Sequence, residues 1–165
     1  MTVLENILVA FDSRYKTALP GTLLRTPGFF GEEKTINAQA SDLLDYVGLA
    51  EFSNELAKNL AFGHQRRLEI ARALALSPQV LLLDEPAAGL THAEIEELIS
   101  LIRDLKNIGV TTVLVEHHVD MIMAVSDHVT VLDYGEVIAS GTPSAVRDEP
   151  RVIEAYFGAV KPNAN

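Results

Sequence analysis

Val80-Leu81-Leu82-Leu83-Asp84-Glu85-Pro86 is the stretch that decides the fold. Its four consecutive aliphatic residues predict a short β-strand that is covered on both faces, as strands of parallel sheets are. In open α/β sheets, ligands bind beyond the carboxyl ends of the strands. The side chains of Asp84 and Glu85 alternate in direction there, so one can reach a divalent cation while the other orients a water molecule. An ordinary turn after a strand is the alternative interpretation of these two acids.

Upstream of this strand, Leu60-Ala61-Phe62-Gly63-His64-Gln65-Arg66-Arg67 opens a helix. A glycine at that position lets a phosphate approach the backbone, and the positive end of the helix dipole favours its charge. The alternative interpretation is a plain helix start with a polar surface. We expect Arg66 and Arg67 to lie on the helix surface or to pair with acids rather than to bind a ligand.

Downstream, His117 follows a second aliphatic strand at the same edge of the predicted sheet. A histidine there can donate a hydrogen bond to a terminal phosphate and hold water and base in line; the alternative is a loop histidine without a role. His92, His118 and His128 are expected to be structural or solvated. The spacing of the histidines does not indicate a metal site, because adjacent residues such as His117 and His118 cannot chelate like an i, i+4 pair.

The composition is that of a folded, acidic domain. Hydrophobic residues make up 48% of the 165 residues, and 13 basic residues stand against 23 acidic ones, for a net charge of −10. This charge argues against nucleic-acid partners and against charge-driven binding to anionic lipid. Without cysteine the chain has no disulfides or thiolate metal sites. No apolar run could span a bilayer, and no signal peptide is recognisable, so we expect a cytoplasmic protein that can still contact a membrane protein.

The first half of the chain is predicted to be helical, and the second half to alternate strands with helices. Proline and glycine residues between positions 12 and 34 predict a loop. The pair Ser77-Pro78 is the best internal boundary. The strand–helix–strand order implies a parallel sheet with helices on both faces. Helices are predicted over residues 1–10, Thr35–Val47, Gly63–Leu76, Thr91–Asn107 and Val119–Val125 and after Thr142-Pro143, and strands at Val80–Leu83, Val110–Val115, Val129–Leu132 and Glu136–Ala139. Thr91-His92-Ala93-Glu94 predicts a capping box, and Thr142 is predicted to cap the last helix, with Pro143 at its first position. Asp133-Tyr134-Gly135, between the last two strands, predicts a hairpin.

Four motifs in this order resemble those of the ATP-binding subunits of ABC transporters. Leu60–Arg67 resembles the signature, Val80–Pro86 the Walker B strand, Ala87–Thr91 the D-loop, and His117 the switch histidine. Further segments narrow the resemblance to the branched-chain amino-acid uptake family and extend it over essentially the whole chain. These segments are Asn59–Arg72, Asp84–Leu90, Val115–His118 and Val152–Gly158.

The resemblance implies an α/β fold that is part of a P-loop NTPase. Residues 1–76 would form the helical (signature) subdomain, which in the family touches the membrane permease. Residues 77–165 would form the C-terminal part of the mostly parallel RecA-like core. Two such subunits pair head to tail in the family, so the implied partners are a second ATPase subunit and a permease at the inner face of the cell membrane.

The resemblance also assigns a site for ATP and Mg²⁺. Asp84 would hold the metal, Glu85 would be the catalytic base, and His117 would act with it in cis. The signature glycine, Gly63, would act in trans on the nucleotide of the other subunit. Residues implied to contact nucleotide are Ala61, Phe62, Gly63, His64, Gln65, Gly89 and Leu90. Departures from the family pattern are Ala61 for serine, Phe62 for glycine, and Thr91 and His118 for aspartates.

The sequence contains no G-x-x-x-x-G-K-S/T loop, the motif whose backbone and lysine grip the phosphates. We therefore expect the chain to be inactive by itself, and its unpaired sheet edges to promote self-association. The main alternative is a non-catalytic remnant that acts as an interaction module. A soluble ABC ATPase of DNA repair or translation is a third interpretation, which the acidic charge disfavours. The transported substrate and the status of Met1 as a natural start stay open.

Overall fold

The structure, a computed structural model, describes residues 1–11 and 27–157, which form two compact units divided between Val113 and Leu114. Two short 3₁₀ turns, Ala50–Phe52 and Ala57–Asn59, precede the third helix. These two units are not the two predicted domains: the boundary between residues 76 and 77, which the family resemblance implies, stays a prediction. In chain order the helices and strands are α1 (Val3–Phe11), α2 (Pro27–Tyr46), α3 (Phe62–Leu74), β1 (Val80–Asp84), α4 (His92–Asn107), β2 (Thr111–Val115), α5 (Val119–Val125), β3 (Val129–Asp133), β4 (Glu136–Gly141), α6 (Pro143–Arg147) and α7 (Pro150–Phe157).

Helix α1 anchors the helical part of the first unit. Its i, i+4 spacing buries Val3, Ile7 and Phe11, and the helix packs against α2 and α3. Backbone hydrogen bonds join its start to the loop ahead of α3, from Val3 N to the Glu55 carbonyl at 2.9 Å and from Ala57 N to the Met1 carbonyl at 3.2 Å. The N-terminus of the chain therefore supports the segment that leads into α3.

Helix α2 begins eight residues earlier than predicted, at Pro27 instead of Thr35. The prediction of a loop is thus wrong for residues 27–34, and its remaining part, residues 12–26, lies outside the described residues. A proline at the first helical position needs no N–H and already has the helical φ, so Pro27 starts a helix here instead of a turn. The helix also runs through Gly31, although a glycine inside a helix costs about 1 kcal/mol.

Strand β1 pairs with β2 in a two-stranded parallel sheet, and Thr111 N donates to the Gln79 carbonyl at 3.0 Å. The prediction that β1 is covered on both faces is wrong for the described residues. Leu81 is buried, but the side chains of Val80 and Leu82 are 53% and 73% exposed. An aliphatic run identifies a strand, but only tertiary packing decides how many of its faces are covered.

The second unit is built on the antiparallel hairpin of β3 and β4. Its two-residue turn, Tyr134-Gly135, has positive φ at both positions (45° and 85°), as a type I′ hairpin turn requires, which confirms the predicted hairpin. Helix α6 begins as predicted, with Thr142 as N-cap and proline at its start. The core of the unit consists of Val129, Val131, Val146 and Val152.

Candidate functional site

The start of α3 is capped by a side chain from a distant part of the chain. The N-cap residue, Ala61, offers no side-chain oxygen. Instead the buried Gly63 donates its N–H to Glu94 Oε1 at 3.2 Å. A Cβ on Gly63 would lie only 2.5 Å from that oxygen, so a side chain here would displace Glu94. The N-terminus of α3 therefore binds an anionic oxygen through a backbone N–H, as the N-terminus of a phosphate-binding helix does.

Glu94 joins two helix N-termini. It belongs to the predicted capping box of α4, in which Thr91 N and Thr91 Oγ1 each donate to Glu94 Oε2 at 2.8 Å, and Glu94 N donates to Thr91 Oγ1 at 3.4 Å. The hydrogen bonds from the Thr91 backbone, from the Thr91 hydroxyl and from Gly63 N lower the pKa of Glu94 below its ordinary value of 4.5. The carboxylate is thus held in its charged form between the two helices.

The lowered pKa of Glu94 makes part of the stability depend on pH. A carboxylate with a lower pKa in the folded state than in the unfolded state stabilises the fold above its unfolded pKa, and this contribution is lost as pH falls through the folded pKa. Glu94→Gln is expected to lower the melting temperature at pH 7, and the difference from the wild type should shrink below pH 4.5. Glu96→Gln, on the exposed side of the same helix, is the control for thermal melts over this pH range. A difference that is independent of pH would contradict this assignment.

The predicted signature and D-loop residues are neighbours in the structure. Gly89 has a φ of +79°, and a Cβ added to it would lie 3.1 Å from Phe62 Cε1. The ring of Phe62 is half exposed and covers this turn. Leu90 N closes the turn by donating to the Ala87 carbonyl at 3.1 Å. Phe62 therefore joins the start of α3 to the Gly89 turn.

Asp84 and Glu85 stand at the carboxyl end of β1, and both are exposed. Glu85 has a φ of +43°, in the left-handed region that side chains rarely adopt. Such strain costs on the order of 1–3 kcal/mol and clusters at functional sites. Pro86 and Ala87 directly behind it are buried and keep the turn in place. Two exposed carboxylates offer the oxygen ligands that Mg²⁺ prefers, so the residues present fit this ion.

Two further predicted nucleotide contacts have partners within the first unit. Gln65 Nε2 donates to the Leu60 carbonyl at 2.9 Å, and the ring of His64 lies 4.6 Å from that of Phe52. These contacts brace the loop ahead of α3. The role of both residues toward a ligand stays a prediction.

The two arginines of the signature segment pair with acids, as predicted. Arg66 forms an ion pair with Glu69 at 2.5 Å, and its guanidinium lies 5.5 Å from the centre of the Phe62 ring. Arg67 pairs with Glu97 of α4. Arg67 thus links helix α3 to helix α4.

In the second unit, Glu116 holds the two histidines that follow it. Its side chain is fully buried (0% exposed), and its Oε2 accepts hydrogen bonds from His117 N at 2.7 Å, His118 N at 3.0 Å and His118 Nδ1 at 2.9 Å. His117 Nδ1 lies 3.5 Å from the same oxygen, and its ring is 60% exposed. The turn after β2 thus brings both rings close to one carboxylate oxygen, an arrangement that the spacing of the histidines did not indicate.

Sequence reasoning missed Glu94 and Glu116 as parts of these surfaces. Glu94 could be identified only as a helix cap, since its contact with Gly63 spans 31 residues. For Glu116, the tripeptide Glu-His-His at a strand end was the available signal.

Among the helices within residues 1–11 and 27–157, none combines the length and the apolar character of a membrane-spanning helix.

Comparisons with known proteins agree with the motifs. The family model described as ABC transporter matches residues 1–88, and the one described as branched-chain amino acid ATP-binding cassette transporter matches residues 136–161. LivG of Escherichia coli, a high-affinity branched-chain amino acid transport ATP-binding protein, is 46% identical over 159 residues. BraF of Pseudomonas aeruginosa, with the same description, is 44% identical. Each alignment covers 96% of this chain and 62% of the relative, so the chain spans about 62% of these relatives' length.

Solved structures lead to the same fold. An ATP-binding cassette of an ABC transporter in its ADP conformation has a TM-score of 0.76 and 29% identity, covering 96% of this chain and 63% of that one. A nucleotide-free cassette has a TM-score of 0.75 and 28% identity, with 96% and 64% covered. The α/β fold and the resemblance are thereby confirmed, and the chain belongs to the ABC transporter family of ATP-binding cassettes.

Proposed function

We propose that the chain acts as an ATP-binding and ATP-hydrolysing subunit of an ABC importer, where it energises branched-chain amino-acid uptake through a membrane permease. One observation carries the proposal: at the N-terminus of α3, Gly63 N donates a hydrogen bond to an anionic oxygen, and the neighbouring Phe62 ring lies against the Gly89 turn. The descriptions of LivG and BraF support the substrate class. The assignment of residues 1–76 to the permease contact rests on the family resemblance.

The carboxylates at the end of β1 are proposed to act on the hydrolytic side. Asp84 would hold Mg²⁺, and Glu85 would orient a water molecule and accept its proton. Mg²⁺, when bound, neutralises charge on the phosphates. His117, with its largely exposed ring, donates a hydrogen bond to the terminal phosphate. By the family resemblance, each of these three residues would act in cis, on a nucleotide held by a phosphate loop, which the 165-residue sequence does not contain.

The residues at the start of α3 are proposed to act in trans, on ATP held by a second subunit in a head-to-tail dimer. Gly63 N then donates to a phosphate oxygen instead of to Glu94 Oε1, and the helix dipole favours the added charge. The Glu94 carboxylate fills the space beside Gly63, so the phosphate would take the place of that carboxylate at the backbone N–H. Phe62 and Gly89 shape the rim of this surface, together with Ala61, His64, Gln65 and Leu90.

A complementation experiment tests this proposal. The chain is mixed with a full-length branched-chain relative that carries the phosphate loop but whose own signature glycine is replaced by glutamate. That relative cannot complete a site with itself, and this chain has no phosphate loop. Neither protein is expected to hydrolyse ATP alone, whereas the mixture should. A mixture that associates but stays silent would contradict the catalytic proposal and favour the interaction module.

The exposed aliphatic side chains of the sheet support a proposal of self-association. Val80, Leu82 and Val113 are each about half exposed or more, and among the strands that the structure describes, β1 and β2 pair only with each other. Open edges and apolar strand faces promote association.

We therefore expect the purified chain to form oligomers at micromolar concentration in light scattering. Leu82→Lys should shift it toward the monomer, because a charge on the exposed strand opposes edge and face contacts. Leu76→Lys, at an equally apolar position that is 56% exposed but outside the strands, is the matched control. A monodisperse wild-type monomer, or equal effects of the two substitutions, would contradict this expectation.

A further inference from the structure

We propose that Glu116, His117 and His118 form a binding site for a divalent transition-metal ion, of which Zn²⁺ is the test case. Each residue offers one ligand atom, and the three atoms all lie within 4.8 Å of one another. One buried carboxylate and two imidazoles from consecutive residues thus converge on a single point. This site differs in its ligands and in its metal from the Mg²⁺ site proposed at Asp84.

The distances suit a tetrahedral ion. Bonds of about 2.0–2.1 Å to zinc place neighbouring ligand atoms roughly 3.4 Å apart. Glu116 Oε2 lies 2.9 Å from His118 Nδ1 and 3.5 Å from His117 Nδ1, so these contacts need to change by only about half an ångström. The two rings lie 4.4 Å apart between centroids and are tilted by 38°.

Burial and hydrogen bonding hold the carboxylate in place for an incoming ion. The Glu116 side chain is fully buried, and the backbone N–H groups of His117 and His118 both donate to its Oε2. Such outer hydrogen bonds orient a metal ligand before the ion arrives. The two rings, 60% and 39% exposed, remain open to solvent, from which the ion enters and water completes its coordination.

The donor set selects the kind of metal. Two imidazoles and one carboxylate suit Zn²⁺ and its transition-metal neighbours, whereas Mg²⁺ and Ca²⁺ prefer all-oxygen sites. An ion bound to His117 would also occupy a ring that the proposed function places at the phosphate, and would therefore inhibit hydrolysis. That consequence rests on the proposed function, but the binding itself does not.

Zinc binding is tested on the purified 165-residue chain without nucleotide, by competition with a chromogenic zinc indicator. We expect one Zn²⁺ per chain and a rise in melting temperature on binding. Loss of a residue that only supports a metal ligand already weakens metal binding 10–100-fold. Loss of a ligand itself, in His118→Ala or His117→Ala, should therefore weaken binding at least about tenfold. His92→Ala, an exposed histidine of α4, is the matched control and should bind as the wild type does.

The readout separates this inference from the proposed ATPase role, because no nucleotide is present. Absence of zinc binding by the wild type would overturn the proposal, as would unchanged affinity in both His117→Ala and His118→Ala. Equal weakening by His92→Ala would point to scattered surface histidines instead. Circular dichroism of each variant checks folding, and the two independent ligand variants guard against one of them being misfolded.

Discussion

Gly63→Glu is expected to abolish ATP hydrolysis by the mixed assembly described above, lowering the rate at least about 100-fold, as loss of a preorganised oxyanion donor does. The new carboxylate would fill the space at the α3 N-terminus, since even a Cβ there meets Glu94 at 2.5 Å. It would also repel the phosphate that the backbone N–H is proposed to bind. Phosphate release from Mg-ATP, measured with both proteins present, is the readout.

Two controls make the Gly63→Glu experiment specific. Gly31→Glu introduces the same side chain into helix α2 where a Cβ meets nothing within 4 Å, and it should leave the rate unchanged. Glu85→Gln should also have little effect in this mixture, because the chain contributes no phosphate loop to a site of its own. Equal activity of Gly63→Glu and the wild type would overturn the trans role of the signature. Thermal melts of every variant distinguish loss of activity from loss of folding.

Leu105→Ala is expected to lower the free energy of unfolding by about 2–5 kcal/mol, the usual cost of an emptied leucine site in a core. Leu105 is fully buried on α4, on the same apolar stripe as Leu98 and Ile102. Its removal therefore costs both the burial of apolar surface and the cavity that remains. Marginal domains have only about 5–15 kcal/mol in total, so this loss is large.

Urea unfolding followed by circular dichroism measures the effect of Leu105→Ala. Every sample has the same protein concentration, because association changes the apparent stability. Leu76→Ala, at a leucine that is 56% exposed, is the matched control and should cost less than about 1 kcal/mol. A similar small cost for Leu105→Ala would mean that α4 does not form part of the core.

The local sequence was sufficient to predict those elements that depend on interactions between residues close together in the chain. The capping box of Thr91 and Glu94, the Tyr134-Gly135 hairpin turn and the Thr142 cap all formed as predicted. In each case a short-range hydrogen bond or a required φ angle identifies the residue type. Motif order was also enough to indicate the family. Only the start of helix α2 escaped prediction, because Pro27 is compatible with both a turn and a helix start.

Tertiary structure alone decided which groups meet at the candidate sites. The contact between Gly63 and Glu94 joins residues 31 apart, and no periodicity or spacing rule encodes such a contact. The exposure of Val80 and Leu82 likewise depends on what packs against the strand, because an aliphatic run is the same whether one face or both are covered. Sequence by itself thus determined most of the elements, through local backbone energetics, and the family, through motif order. The fold decided the geometry of the sites, because burial and long-range hydrogen bonds arise only when the elements pack.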